Sequence, residues 1–134
     1  MFKFIAISCC FSAMFLIGCD FNNIKLKLIN KGNTNIYYTL SMDTTLNEGI
    51  YVYKLNSKDS IYPNFVMGRG KGVWEYKINT ESVDSSLHIF SFLYDDIHSN
   101  IIPSKIILAN KFRRLDLKVK DLDKMNWTVP LSCP

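Results

Sequence analysis

His88 and His98 are the only histidines in the chain, and Asp95 and Asp96 lie between them. Two imidazoles and two carboxylates are a set a metal accepts. Zinc sites, however, bring their ligands in tightly spaced pairs, and no such spacing occurs here. His88 falls in an apolar run patterned as a buried strand, so the expectation is a core histidine, no metal centre and no cofactor. Serines and acids accompany the histidines, yet no serine stands in a glycine-flanked nucleophile turn. No catalytic residue is therefore expected. Gly68-Arg69-Gly70-Lys71-Gly72 is the most distinctive internal stretch. Glycines let backbone amides approach an anion, and Arg69 and Lys71 add charge. A phosphate loop needs a helix after it, whereas Val73 opens a strand-like pattern. The expectation is a flexible connection into Trp74, with Arg69 and Lys71 as candidate partner contacts. Tyr51 and Tyr53, with Tyr37 and Tyr62, form a protein- or sugar-contact surface if they lie on an outer face, and ordinary sheet aromatics otherwise.

The elements that present these residues begin with an address. Met1-Phe2-Lys3 is short and basic, residues 4–17 are apolar, and Leu16-Ile17-Gly18-Cys19 closes the segment. About fourteen apolar positions suit the core of an export signal and fall short of the roughly 20 that a bilayer span needs. The tetrapeptide resembles the lipobox of bacterial lipoproteins, which places cleavage between Gly18 and Cys19. That resemblance implies a diacylglyceryl thioether on Cys19 and an acyl group on the new amino terminus. Each buried methylene contributes about 0.8 kcal/mol, so two or three chains anchor stably where one does not. The resulting division is a cleaved signal peptide over 1–18, a lipidated cysteine and short tether over 19–23, and a single domain over 24–134. The location this implies is the bacterial cell envelope, on the periplasmic or the cell-surface side. The bilayer itself is the first partner, held through acylated Cys19.

Removing residues 1–18 leaves 116 residues, enough for one core without metal or disulfide staples. Of four cysteines, Cys9 and Cys10 fall in the signal and Cys19 is the lipid site, so Cys133 has no intrachain partner. The net charge of +4 carries no dense basic stripe, and export denies access to nucleic acid. A nucleic-acid partner is thus not expected.

Strand patterns dominate the remainder. Alternation marks 24–28, 35–42 and 50–55, while Pro63 makes 61–67 an edge strand or an irregular connection. Residues 73–79 alternate Trp74, Tyr76 and Ile78 against Glu75 and Lys77, which predicts a half-buried strand. Residues 87–94 read as a central strand and 105–108 as a short one. Leu115, Leu117 and Val119 alternate inward, 120–125 form helical turns, and 127–131 form a last strand. Several short strands with turn signals predict an all-β fold, an antiparallel β-sandwich of about seven strands of immunoglobulin- or transthyretin-like type. A small closed barrel is the alternative.

The tail, Leu115-Asp116-Leu117, Asp121-Leu122 and Asn126-Trp127-Thr128-Val129-Pro130, resembles the ending of small Bacteroidetes-type lipoproteins of unknown function. Trp74 and the run Ser86-Leu87-His88-Ile89-Phe90 fit the same resemblance. It implies no active site. Three readings of function follow: a non-enzymatic interaction module displayed at a membrane, an immunity-type inhibitor of an antibacterial toxin, and a glycan-binding accessory lipoprotein.

Overall fold

The computed structural model describes residues 25–63 and 72–132. Expectations for the signal peptide, Gly18, Cys19, the tether, Arg69, Lys71 and Cys133 lie outside those residues. The described chain forms β1 (Lys27–Asn30), β2 (Ile36–Ser41), β3 (Tyr53–Leu55), β4 (Ser60–Ile61), α1 (Val73–Thr80), β5 (Leu87–Leu93), α2 (Ser104–Leu108), β6 (Arg113–Leu117), α3 (Val119–Lys124) and β7 (Thr128–Leu131). A single 3₁₀ turn, Tyr94–Asp96, follows β5.

Strands therefore dominate, in two sheets ordered β4-β1-β7 and β3-β2-β5-β6. Neither sheet closes on itself among the described residues, so the arrangement is sandwich-like and not a barrel. Four of the five strand pairings are antiparallel, but β1 and β7 run parallel, with Leu28 opposite Val129. The wholly antiparallel expectation is corrected at that pair, which joins the first and last strands of the described fold.

Two apolar clusters share the larger sheet. Between the sheets, Leu28, Val129 and Leu131 meet Ile36, Tyr38, Leu40, Leu87 and Ile89, and helices α1 and α3 add Trp74, Ile78 and Leu122. On the other face, Tyr37, Phe90 and Phe92 are covered by Leu46, Val52, Ile97, Ile102 and Ile106 from the connecting segments and α2. Strands β2 and β5 are thus buried on both faces, which explains why Leu87–Leu93 is apolar on both sides.

Two segments read as strands are helices. Residues 73–79 form most of α1, where Trp74 and Ile78 are fully buried and Tyr76 is 66% exposed. Positions 74 and 78 lie on one face under either period, since four residues are two strand repeats and about one helical turn. Tyr76 is the position that separates the two readings, and it points to solvent. Residues 105–108 lie in α2, which buries Ile106 and leaves Leu108 exposed. Val119, read as the end of an inward alternation, opens α3 instead. Of the segment 50–55, only Tyr53–Leu55 joins the sheet, while Tyr51 bridges Ile101.

The Asn126-Trp127 dipeptide has a local explanation. Asn126 and Trp127 take φ of 49° and 54°, left-handed values that reverse the chain from α3 into β7. Asparagine tolerates that region, and each non-glycine residue there costs roughly 1–2 kcal/mol. Burial of the Trp127 indole offsets the strain, and its Nε1–H donates to Asp123 Oδ1 at 2.8 Å. Lys25 Nζ lies 4.1 Å from the centroid of the same ring.

Candidate functional site

The exposed aromatic surface gathers around β3, an edge strand of the larger sheet. Tyr53 pairs with Tyr38 across the β2–β3 ladder, and Lys54 pairs with Tyr37. Alternation therefore sends Tyr53 to one face and Lys54 to the other. On the first face Tyr53 lies 5.8 Å from Tyr38 and 5.2 Å from Tyr51, ring centroid to centroid. On the second, Tyr37 stacks on Tyr94 at 5.4 Å with the rings within 9° of parallel, and Lys54 Nζ stands 4.9 Å over Tyr94. Five of the seven tyrosines in the chain thus meet at one edge.

Tyr51 and Tyr53 are 52% and 51% exposed, while Tyr38 is buried. Burial, with a smaller contribution from Tyr53, pushes the Tyr38 hydroxyl up to about 12. Asn100 Nδ2 donates to the Tyr51 hydroxyl at 3.0 Å, and Val52 N–H donates to Asn100 O, so the loop 97–102 fixes the approach to the edge. Half-exposed rings held by neighbours present apolar area at low ordering cost, the property that enriches tyrosine at protein contacts.

A second polar constellation lies at the β5–β6 side. His88 is fully buried, with Nδ1 2.7 Å from Asp116 Oδ1 and Nε2 3.1 Å from Asp84 Oδ1. Asp116 sits directly opposite His88 in the β5–β6 register. Arg114 donates from Nε and Nη2 to Asp116 Oδ2 and from Nη1 to Thr44 O. Asp84 Oδ1 also accepts from Ser82 Oγ and from Ser86 N–H.

Burial opposes ionisation of Asp84, but bonds from Ser82, His88 and Ser86 and the nearby imidazole outweigh it. Its carboxyl is held below the usual carboxylate value. Asp116 is lowered likewise: burial is outweighed by bonds from His88 and Arg114 and by their charge. Ionised carboxylates only accept, and each of the two faces one ring nitrogen of His88. Ser82 Oγ is directed to Asp84 rather than to the ring.

The residues singled out in the sequence fall as follows. Tyr51, Tyr53 and Tyr37 come together at the β3 edge. Tyr62 is exposed elsewhere, with Lys27 Nζ 5.6 Å from its ring centroid. The supposed metal set does not assemble: His88 is bound to Asp84 and Asp116, and His98 is in an exposed loop. Asp96 pairs with Lys111 at 3.7 Å. No group of three or more metal-binding side chains is present among the described residues.

The reason given against an anion loop at 68–72 is overturned, because Gly72, at φ 83°, caps a helix and not a strand. The first turn of α1 nevertheless carries its own acid, Glu75, which pairs with Lys25. Asp84 and Asp116, the partners of His88, are not singled out by the sequence reading. The signal for Asp84 was the alternating Ser82, Asp84, Ser86 pattern of a side-chain-bonded turn; Asp116 required the strand register. Comparison with family models, curated proteins and solved structures finds no match to this chain.

Proposed function

We propose that the protein is a lipid-anchored component of a bacterial cell envelope, and that its domain is a non-enzymatic interaction module using the β3 edge as its contact surface. The observation that carries the contact surface is the pair of half-exposed tyrosines, Tyr53 on the edge strand β3 and Tyr51 just before it, with Tyr38 behind Tyr53. The Leu16-Ile17-Gly18-Cys19 segment supports the anchor, with acylated Cys19 in the bilayer. A helix long and apolar enough to cross a membrane is absent among the described residues. Two facing open sheets with seven strands support the finer reading, a sandwich of immunoglobulin- or transthyretin-like type.

A protein partner fits this edge better than a flat sugar. The rings of Tyr51 and Tyr53 meet at 65°, so they do not offer one coplanar stacking surface. The anchor is tested by intact mass and membrane fractionation of the wild type and Cys19→Ala. The proposal expects an acylated, membrane-bound wild type and an unacylated variant released from the membrane. An uncleaved, lipid-free N-terminus in the wild type would overturn it.

A further inference from the structure

We propose that the end of the domain where β1 leads into β2 holds a binding site for a small organic oxyanion, a carboxylate or phosphate carried on a molecule about the size of an acidic sugar. A cavity of about 370 Å³ opens there, lined by Lys31, Thr34, Arg113, Pro130, Leu131 and Ser132 among others. That volume lies in the range of small-molecule sites, roughly 300–1,000 Å³, and far exceeds what a bare ion fills.

The charge of the lining is unbalanced. It holds two cations, Lys31 and Arg113, and no acid, and among the described residues neither cation is in an ion pair. Arg113 Nη1 donates to Ser132 Oγ, which uses one of the five N–H donors of a guanidinium. The planar fork that remains matches a carboxylate or phosphate. Thr34 and Ser132 add hydroxyls, and Leu131 and Pro130 supply an apolar wall for the carbon frame.

The walls are built in advance. Buried Asn30 donates from Nδ2 to the carbonyls of Thr34, Leu55 and Asn56, and its Oδ1 accepts from Gly32 N–H. These bonds fix the turn that carries Lys31. Ser91 Oγ donates to Ser132 O at 2.9 Å, tying the other wall across the two sheets. A site whose backbone walls are already held loses less ordering entropy on binding. The cavity also lies at the Asn30 end of β1, opposite its Lys27 end. Its outward orientation rests on the lipid-anchor reading, but the site itself does not.

The test is saturation-transfer NMR on the full chain in an uncharged, sugar-free detergent. Glucuronate, glucose 6-phosphate and glucose are the probes. Glucuronate differs from glucose at one carboxylate, so the pair isolates the charge. The proposal expects signals from the two anions and none from glucose. Arg113→Gln should weaken glucuronate by about tenfold or more, with a further loss in the Lys31→Gln double variant. Thermal melting by circular dichroism verifies that both variants remain folded. Cys19→Ala should bind as the wild type does, which separates this site from the anchor. Equal binding of glucose and glucuronate, survival of glucuronate binding in the folded double variant, or silence from both anions would overturn the proposal.

Discussion

At one edge of the four-stranded sheet, β6 presents Arg113, Arg114 and Asp116; at the other, β3 presents Tyr53 and Lys54 beside Tyr51. The β6 edge is charged: Arg114 and Asp116 turn onto one another and onto His88, while Arg113 faces the cavity beside Ser132. Asp116 takes His88 on one oxygen and Arg114 on the other, and Arg114 reaches on to Thr44 O. Such an edge resists pairing with another chain, because docking there would strip water from charges already committed. The β3 edge has no such network, and its two outer tyrosines remain half exposed. The difference separates two uses of polar side chains on one sheet. Where polar groups bond one another, as around Asp116, they hold the fold, and where aromatic area is left over, as at Tyr51 and Tyr53, it offers a contact.

Breaking the inward network should have the largest effect. His88→Ala removes a fully buried ring and leaves two carboxylates facing a void, so stability should fall by about 2–4 kcal/mol. Urea unfolding followed by tryptophan fluorescence checks this, and a loss under about 1 kcal/mol would contradict it. Acid should act on the same groups. Asp84 and Asp116 are held below the ordinary carboxylate value, near 3.9 in an unfolded chain. Their contribution is therefore fully present above that pH and is lost as pH falls through and below it. Unfolding midpoints should drop as pH is taken below about 4, and Asp116→Asn should flatten that slope.

Smaller effects sharpen the comparison. Arg114→Gln cuts a partly exposed pair and should cost only about 0.5–1 kcal/mol by the same urea assay. Tyr53→Ser removes an edge aromatic contact and should cost about 0.5–1 kcal/mol at most. If Tyr53→Ser destabilises as much as His88→Ala, the β3 tyrosines are structural and the distinction between the edges fails.

Much of this organisation is legible in the residues. The central position of β5 follows from an apolar run with few polar breaks, and α3 and β7 stand where the tail pattern puts them. Tyr51 and Tyr53 lie exposed at an edge, the first of the two placements their alternation leaves open. The rest depends on contacts distant in sequence. Trp74 and Ile78 satisfy both periods, and only the burial supplied by α3 and the sheets selects a helix. The eight-residue α1 gives too few turns for periodicity to decide. His88 is recognisable as buried, but Asp116 becomes its partner only through the β5–β6 register, twenty-eight residues later. Likewise Lys31 and Arg113 share a cavity because β7 brings Ser132 beside β1.

The most direct test of the central claim is site-specific photo-crosslinking in living cells, with the photoreactive residue placed at position 53 or at position 114. The account predicts one discrete adduct from position 53, lost when Tyr51 is also changed to serine, and no adduct from position 114. Equal adducts from both positions, or none from position 53 in membrane-anchored protein, would contradict the assignment of the β3 edge as the contact surface.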